Sequence, residues 1–146
     1  MNGIPPNYKF KTPIYIRFSD LDGFGHVNNA VYLTYFEIAR TNYWKQIIQW
    51  DWKETNIILG KSEVNYLKPL KLYDQIFCYV RTSRIGNSSF DIDYIIVKVD
   101  ENGEEQICTT GQTVCIHYDY KAYKSIPIPE VEQKKMMEFE GFKPRS

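Results

Sequence analysis

The densest group of residues able to do chemistry is the run Ser19-Asp20-Leu21-Asp22-Gly23-Phe24-Gly25-His26-Val27-Asn28-Asn29. It gathers two carboxylates, an imidazole and two amides beside two glycines. A carboxylate held near a reacting carbonyl can attack it or take a proton from water. The glycines permit tight turns and close approach of a ligand. The run also lies just ahead of a helical pattern, and a helix N-terminus presents unpaired N–H groups and a partial positive charge that stabilise a developing oxyanion. A plainer role fits the same residues. Asp20 and Asp22 can hydrogen-bond turn amides or cap the helix, and Asn28 or Asn29 is a suitable N-cap.

Other chemistries find little material. There is no G-x-S-x-G elbow, and His26 and His117 are the only histidines, so a serine triad is not expected. Gly60-Lys61-Ser62 lacks the first glycine of a P-loop, whose place is taken by Thr55. Cys78, Cys108 and Cys115 form no CxxC pair and have no histidine at metal spacing. Neither a disulfide framework nor a metal site is expected, and reduced thiols place the chain in the cytoplasm.

These residues must be positioned by the elements around them. Residues 14–18 alternate apolar and polar in the manner of a half-buried strand. From Ala30 to about Trp50 the period becomes helical, with Val31, Tyr35 and Ala39 on one row and Tyr32, Phe36, Tyr43 and Ile47 on the next. Leu33, Ile38 and Trp44 widen the apolar surface, so the helix expects protein on most sides. Strand-like segments follow at residues 57–67, 75–83, 89–99 and 105–117, separated by short turns that make neighbours antiparallel. Residues 121–146 read as a proline-containing tail over the surface. The expectation is α+β: one sheet of five or six antiparallel strands curled around one long helix. Such an open sheet leaves an edge that a second copy of the chain can cover.

Composition narrows the partners. The 146 residues suit a single domain, 1–146, and the 18 basic and 18 acidic side chains cancel. No general basic surface for nucleic acid is expected, and a polyanionic ligand must be met by a few placed donors. Nothing in residues 1–11 resembles a signal peptide, and no window is apolar enough for a membrane span.

The run FSDLDGFGHVNNAVYLTYFEIAR closely resembles the hotdog-fold acyl-CoA thioesterases of the 4-hydroxybenzoyl-CoA thioesterase type. The similarity continues through VNYLKPLKLYDQI and RIGNSSF to the late IPIPE, so it spans nearly the whole chain. The specific set is D-x-D-x-x-G-H-V-N-N followed by Tyr32 and E-x-A-R. The resemblance implies that Asp22 is the catalytic carboxylate, as nucleophile or as general base, and that the Asn29 backbone N–H is the oxyanion donor. It implies substrate binding at the nucleotide of coenzyme A for Arg84, Asn87, Ser88 and Ser89. An ordinary hairpin turn accounts for those four equally well. Tyr32, in the helix's aromatic row, reads first as core and is also a candidate for substrate binding in the acyl pocket near the helix start.

His26 matches a histidine used in related acyl-carrier-protein thioesterases, but Phe24 stands where they carry Asn, which leaves a structural hydrogen bond as an equal reading. Glu37 and Arg40 are expected to pair on the helix, although a second hotdog group places its carboxylate on this helix. No cofactor is implied beyond coenzyme A as part of substrate and product. A homodimer or homotetramer is implied, with residues 61–66 facing the partner's site. The alternatives are a carrier-protein thioesterase and a non-hydrolytic acyl-CoA binding module.

Overall fold

A computed structural model of the chain describes residues 3–142. It opens with β1 (Phe10–Ile14), whose Phe10, Thr12 and Ile14 point inward. The strand expected over residues 14–18 is thus displaced: only residues 10–14 pair with the neighbouring strand, and Phe18–Asp20 forms a single 3₁₀ turn. The cause is Asp20, whose carboxylate draws in both the Arg17 N–H and the Arg17 guanidinium and bends the chain out of the sheet. Pro13 is tolerated because β1 is an edge strand.

Helix α1 (Val31–Tyr43) continues into one π-type turn, Trp44–Ile48, and stops at Gln49 in the left-handed region, φ 60°. There follow β2 (Ile57–Tyr66), β3 (Ile76–Ile85), β4 (Ser89–Val99), β5 (Glu105–Asp119), a short β6 (Lys124–Ser125) and α2 (Glu130–Glu140). The antiparallel sheet runs β1-β3-β4-β5-β2, with β6 on the end of β5. This is the expected α+β architecture, a curled sheet around one long helix.

The helix is seated by aromatic packing. Tyr32, Tyr35, Phe36, Ala39 and Tyr43 are buried, and Phe36 stacks on Tyr94 with ring centroids 4.3 Å apart. Burying each such side chain contributes about 1.5–3 kcal/mol. Gly111 on β5 lies directly beneath the Phe36 ring, where a Cβ would collide with it. A glycine at that position is therefore what lets the helix approach the sheet.

Residues 121–142 depart from the expected surface tail, and residues 143–146 of that tail lie outside the described residues. Helix α2 starts after Pro129, carries Glu130 and Glu132 in its first turn, and ends at Gly141 with φ 78°. Proline before a helix and glycine after it are ordinary helix punctuation, so the signal was present. Met136 is buried, and the Glu140 carboxylate accepts hydrogen bonds from the Tyr43 hydroxyl (2.6 Å) and the Thr82 N–H (2.8 Å). The opposite flank is bare: Leu33 and Ile38 on α1 and Leu59 on edge strand β2 remain exposed.

Candidate active site at the start of the central helix

The segment from Asp20 to Val31 is held by backbone bonds on every side. Asp22 and His26 face each other across a tight reversal: the Asp22 N–H donates to the His26 carbonyl at 2.7 Å, and Gly25 supplies a φ of 83° that a side chain would resist. The Val27 N–H donates to the Leu70 carbonyl (2.8 Å) and the Asn28 N–H to the Asp20 carbonyl (2.8 Å), lashing the loop to the segment before β3. Neither of the two expected asparagines is the cap, which falls on Ala30 without a side-chain bond; Asn28 instead braces the turn that leads into the helix. Its Oδ1 accepts the Ala30 N–H at 3.0 Å and its carbonyl accepts the Val31 N–H at 2.9 Å.

The consequence is a selective vacancy among donors. The N–H groups of Phe24, Gly25, His26, Val27, Asn28, Ala30 and Val31 all have acceptors. Between residues 24 and 31 the Asn29 N–H alone has none among the described residues. It lies at the mouth of α1, where an unspent donor is most useful to an anion.

Asp20 and Asp22 stand two residues apart and do different things. Asp20 is buried, and it accepts from the Tyr35 hydroxyl at 2.7 Å as well as from Arg17. Burial pushes its carboxyl up, but hydrogen bonds from the Arg17 N–H, Tyr35 and the Arg17 guanidinium outweigh this and hold it below the usual range. It is a structural carboxylate. The Asp22 Oδ1 accepts the N–H groups of Phe24 (2.8 Å) and His26 (3.1 Å), which lower its pKa and keep it ionised. Its Oδ2 takes no hydrogen bond among the described residues.

The other expected residues divide between the two ends of the sheet. His26 stands beside Asp22, tied through its backbone to Lys71, and its ring makes no hydrogen bond among the described residues. Tyr32 is buried, with the Tyr66 ring against it edge-on at 4.9 Å. Tyr66 also donates its hydroxyl to the Asn29 carbonyl at 2.8 Å, so this residue of the 61–66 segment serves the helix start of its own chain. No sequence pattern pointed to that contact, because it joins positions 37 apart.

Arg84, Asn87, Ser88 and Ser89 occupy the β3–β4 hairpin at the other end. The ten residues of β3, roughly 30 Å of strand, separate them from the Asp22 loop. The Arg84 guanidinium is held by both Asp91 oxygens (2.9 Å each) and by the Ser89 hydroxyl (3.0 Å). The Asn87 and Ser88 carbonyls accept the N–H groups of Ile128 and His117.

Midway along α1, Arg40 and Glu37 pair at 3.7 Å. They line a cleft of about 160 Å³ against Leu59 and Ser62 of β2. Cys78, Cys108 and Cys115 are buried and unpaired, and burial pushes the Cys115 thiol up to about 11, which removes it as a thiolate nucleophile. Among the described residues no group of three or more His, Cys, Asp or Glu is arranged to hold a metal ion, and no helix is long and apolar enough to cross a membrane.

A carboxylate with one open oxygen and an unspent helix-entry N–H in one loop are groups that can attack or hydrate a carbonyl and polarise it, and known proteins similar to this chain include thioesterases. A thioesterase from Thermus thermophilus, solved with coenzyme A and Zn, is 34% identical, and the match covers 92% of this chain and 96% of that one with a TM-score of 0.77. The Bacillus subtilis (strain 168) protein YsmA is 29% identical over 132 residues, 90% of this chain and 87% of its own length. A 4-hydroxybenzoyl-CoA thioesterase mutant, complexed with 4-hydroxybenzoyl-CoA, shares the fold at 13% identity, with a TM-score of 0.80 over 87% of this chain and 97% of its own. The sequence profile of the thioesterase-like superfamily matches residues 16–136, which takes in the Asp22 loop, all of α1 and the sheet from β2 to β6, and the chain belongs to that superfamily.

Proposed function

We propose that this protein hydrolyses the thioester of an acyl-CoA to a free acid and coenzyme A. One observation carries the reading: among the described residues the loop spends every backbone N–H from residue 24 to 31 except that of Asn29, and the same loop holds the Asp22 carboxylate with one oxygen unengaged. The thioester carbonyl oxygen receives the Asn29 N–H, which becomes a stronger hydrogen bond as negative charge develops on that oxygen. Asp22 Oδ2 either adds to the carbonyl carbon or takes a proton from the water that does. The C–S bond then breaks and the sulfur leaves as thiolate. Where Asp22 has added directly, water hydrolyses the resulting acyl anhydride to the free acid and restores the carboxylate; where it has acted as base, the proton it took passes to the departing thiolate. A thiol pKa near ~8.5 makes that departure possible without a strong general acid.

The rest of the substrate calls on a second copy of the chain. Within one chain the Arg84 hairpin lies at the far end of the sheet from Asp22, so a contact from it to the nucleotide of an acyl-CoA bound at Asp22 comes from a partner. Leu33, Ile38 and Leu59 form the uncovered apolar flank through which β2 edges pair. The buried, unpaired thiols suit a reducing compartment.

The test is a thiol-release assay over a panel of acyl-CoA esters and of the same acyl groups on a carrier protein. Equimolar thiol and free acid from an acyl-CoA supports the reading. Turnover confined to carrier-borne substrates reassigns the substrate, and binding without thiol release rejects hydrolysis.

A further inference from the structure

Tyr66 is an aromatic side chain, 48% exposed, at the end of an edge strand, yet it makes a specific polar contact with the helix entry. The peptide between Asn29 and Ala30 is gripped at both of its polar ends. Its N–H donates to Asn28 Oδ1 at 3.0 Å, and its carbonyl accepts the Tyr66 hydroxyl at 2.8 Å. The preceding peptide, between Asn28 and Asn29, is gripped only at its carbonyl, by the Val31 N–H at 2.9 Å. Its N–H is the unspent one.

Two adjacent peptide planes share the Asn29 Cα. With the first plane held at its carbonyl by the Val31 N–H, fixing the second narrows the φ and ψ range at Asn29 through which the first could swing its N–H away from the site. The ring of Tyr66 is itself set, edge-on, against the buried Tyr32 at 4.9 Å. The contact also satisfies a carbonyl that lies one residue before the helix cap and so outside the helical ladder. A hydroxyl used only for packing would not need to reach that atom.

We propose that Tyr66 is a positioning residue for the thioesterase reaction: through the Asn29 carbonyl it holds the Asn29 N–H in the direction that receives the thioester oxygen. The inference rests on the thioesterase reading above. Tyr66 touches no reacting atom. It ties the β2 edge strand to the oxyanion donor, so disturbance of that edge is felt at the reacting carbonyl.

The experiment is Tyr66→Phe, which removes the hydroxyl and keeps the ring. The expected result is a fall of about tenfold in kcat, smaller than the 10²–10³ typical of deleting a donor outright, with KM within about twofold. The thermal midpoint should move by no more than about 2 °C, since one partly exposed hydrogen bond is lost. A second readout is the thioester carbonyl stretch of acyl-CoA bound to Asp22→Asn protein. It should lie below its frequency in water, and adding Tyr66→Phe should return much of that shift. Only folded, loaded molecules contribute to that band, so it also answers if the variant proves unstable.

Wild-type kcat together with an unchanged carbonyl band in Tyr66→Phe overturns the inference while leaving the thioesterase reading intact. A wild-type protein that hydrolyses no thioester overturns that reading and this one with it.

Discussion

The two ends of the sheet are built from similar parts and put them to opposite uses. At one end a turn, a carboxylate and a helix entry meet at Asp22. At the other a hairpin, a carboxylate and a guanidinium meet at Arg84. Arg84 engages both Asp91 oxygens and the Ser89 hydroxyl, and the neighbouring carbonyls of Asn87 and Ser88 are taken by the N–H groups of Ile128 and His117. Most of its polar groups have partners, which makes it a stable corner. The Asp22 end is just as heavily bonded but, among the described residues, leaves one carboxylate oxygen and the helix-entry N–H of Asn29 unengaged. Extensive hydrogen bonding does not by itself distinguish scaffold from site. The distinction lies in which atoms are left over.

The largest expected effect tests the site half of that contrast. Asp22→Asn keeps an acceptor oxygen for the Phe24 and His26 N–H groups, so the fold should survive, while kcat falls about 10³-fold, in the range of a lost carboxylate base. Steady-state kinetics beside a thermal melt measure both. Because those N–H groups hold Asp22 below the ordinary carboxylate range, wild-type kcat/KM should stay level as pH falls to about 4 and decline only beneath that.

Asp20→Ala is the converse, a stability loss of about 3 kcal/mol in urea unfolding, because it strands the buried Tyr35 hydroxyl and frees Arg17. Asp20 also has a depressed pKa in the fold. Its contribution is therefore present above its unfolded pKa of about 4 and lost as pH falls through the lower folded value. The wild-type urea midpoint should drop in that acid window, and the variant's should drop less.

Arg84→Ala sharpens the comparison from the other end. If the hairpin serves a partner's nucleotide site, KM for an acyl-CoA rises roughly fivefold, about 1 kcal/mol, while KM for the corresponding acyl-pantetheine, which lacks the nucleotide, stays put. Equal changes in both would make Arg84 a local brace for Asp91. The smallest effect is expected from His26→Ala. The contacts of His26 run through its backbone, so kcat should stay within about threefold, as stopped-flow thiol release would show.

Legibility in the sequence followed the range of the interaction. The four long strands and α1 came from local periodicity; the strand bounds shifted by a residue or two, while α1 ends at Tyr43 and the rest of the expected helix is the π-type turn Trp44–Ile48. Residues 14–18 misled because a genuine apolar alternation runs through Ile14 and Ile16, while the Asp20 carboxylate, a competing local bond, ends the pairing at Ile14. Helix α2 was overlooked although Pro129 and Gly141 punctuate it. Its helical face is short and mixed, and what fixes it is the distant contact of Glu140 with Tyr43 and Thr82.

Within the site, the types and spacing of Asp22, His26 and Asn29 were readable, and the resemblance supplied their roles. The division of labour between Asp20 and Asp22 was not, since it depends on Tyr35 reaching back 15 positions. Nor was Tyr66, whose partner is 37 positions away. The exposed Leu33 and Ile38, read as a helix seeking cover on most sides, find none in a single chain.

The central claim is that thioester chemistry takes place between the Asp22 carboxylate and the Asn29 N–H. Its most direct test is a crystal structure of the Asp22→Asn protein with an uncleaved acyl-CoA bound. The account predicts the thioester carbonyl oxygen at about 2.7–3.1 Å from the Asn29 nitrogen, with the carbonyl carbon facing the side chain at position 22. A thioester lodged instead against Glu37 in the cleft between α1 and β2, with the Asn29 N–H left unoccupied, would contradict it.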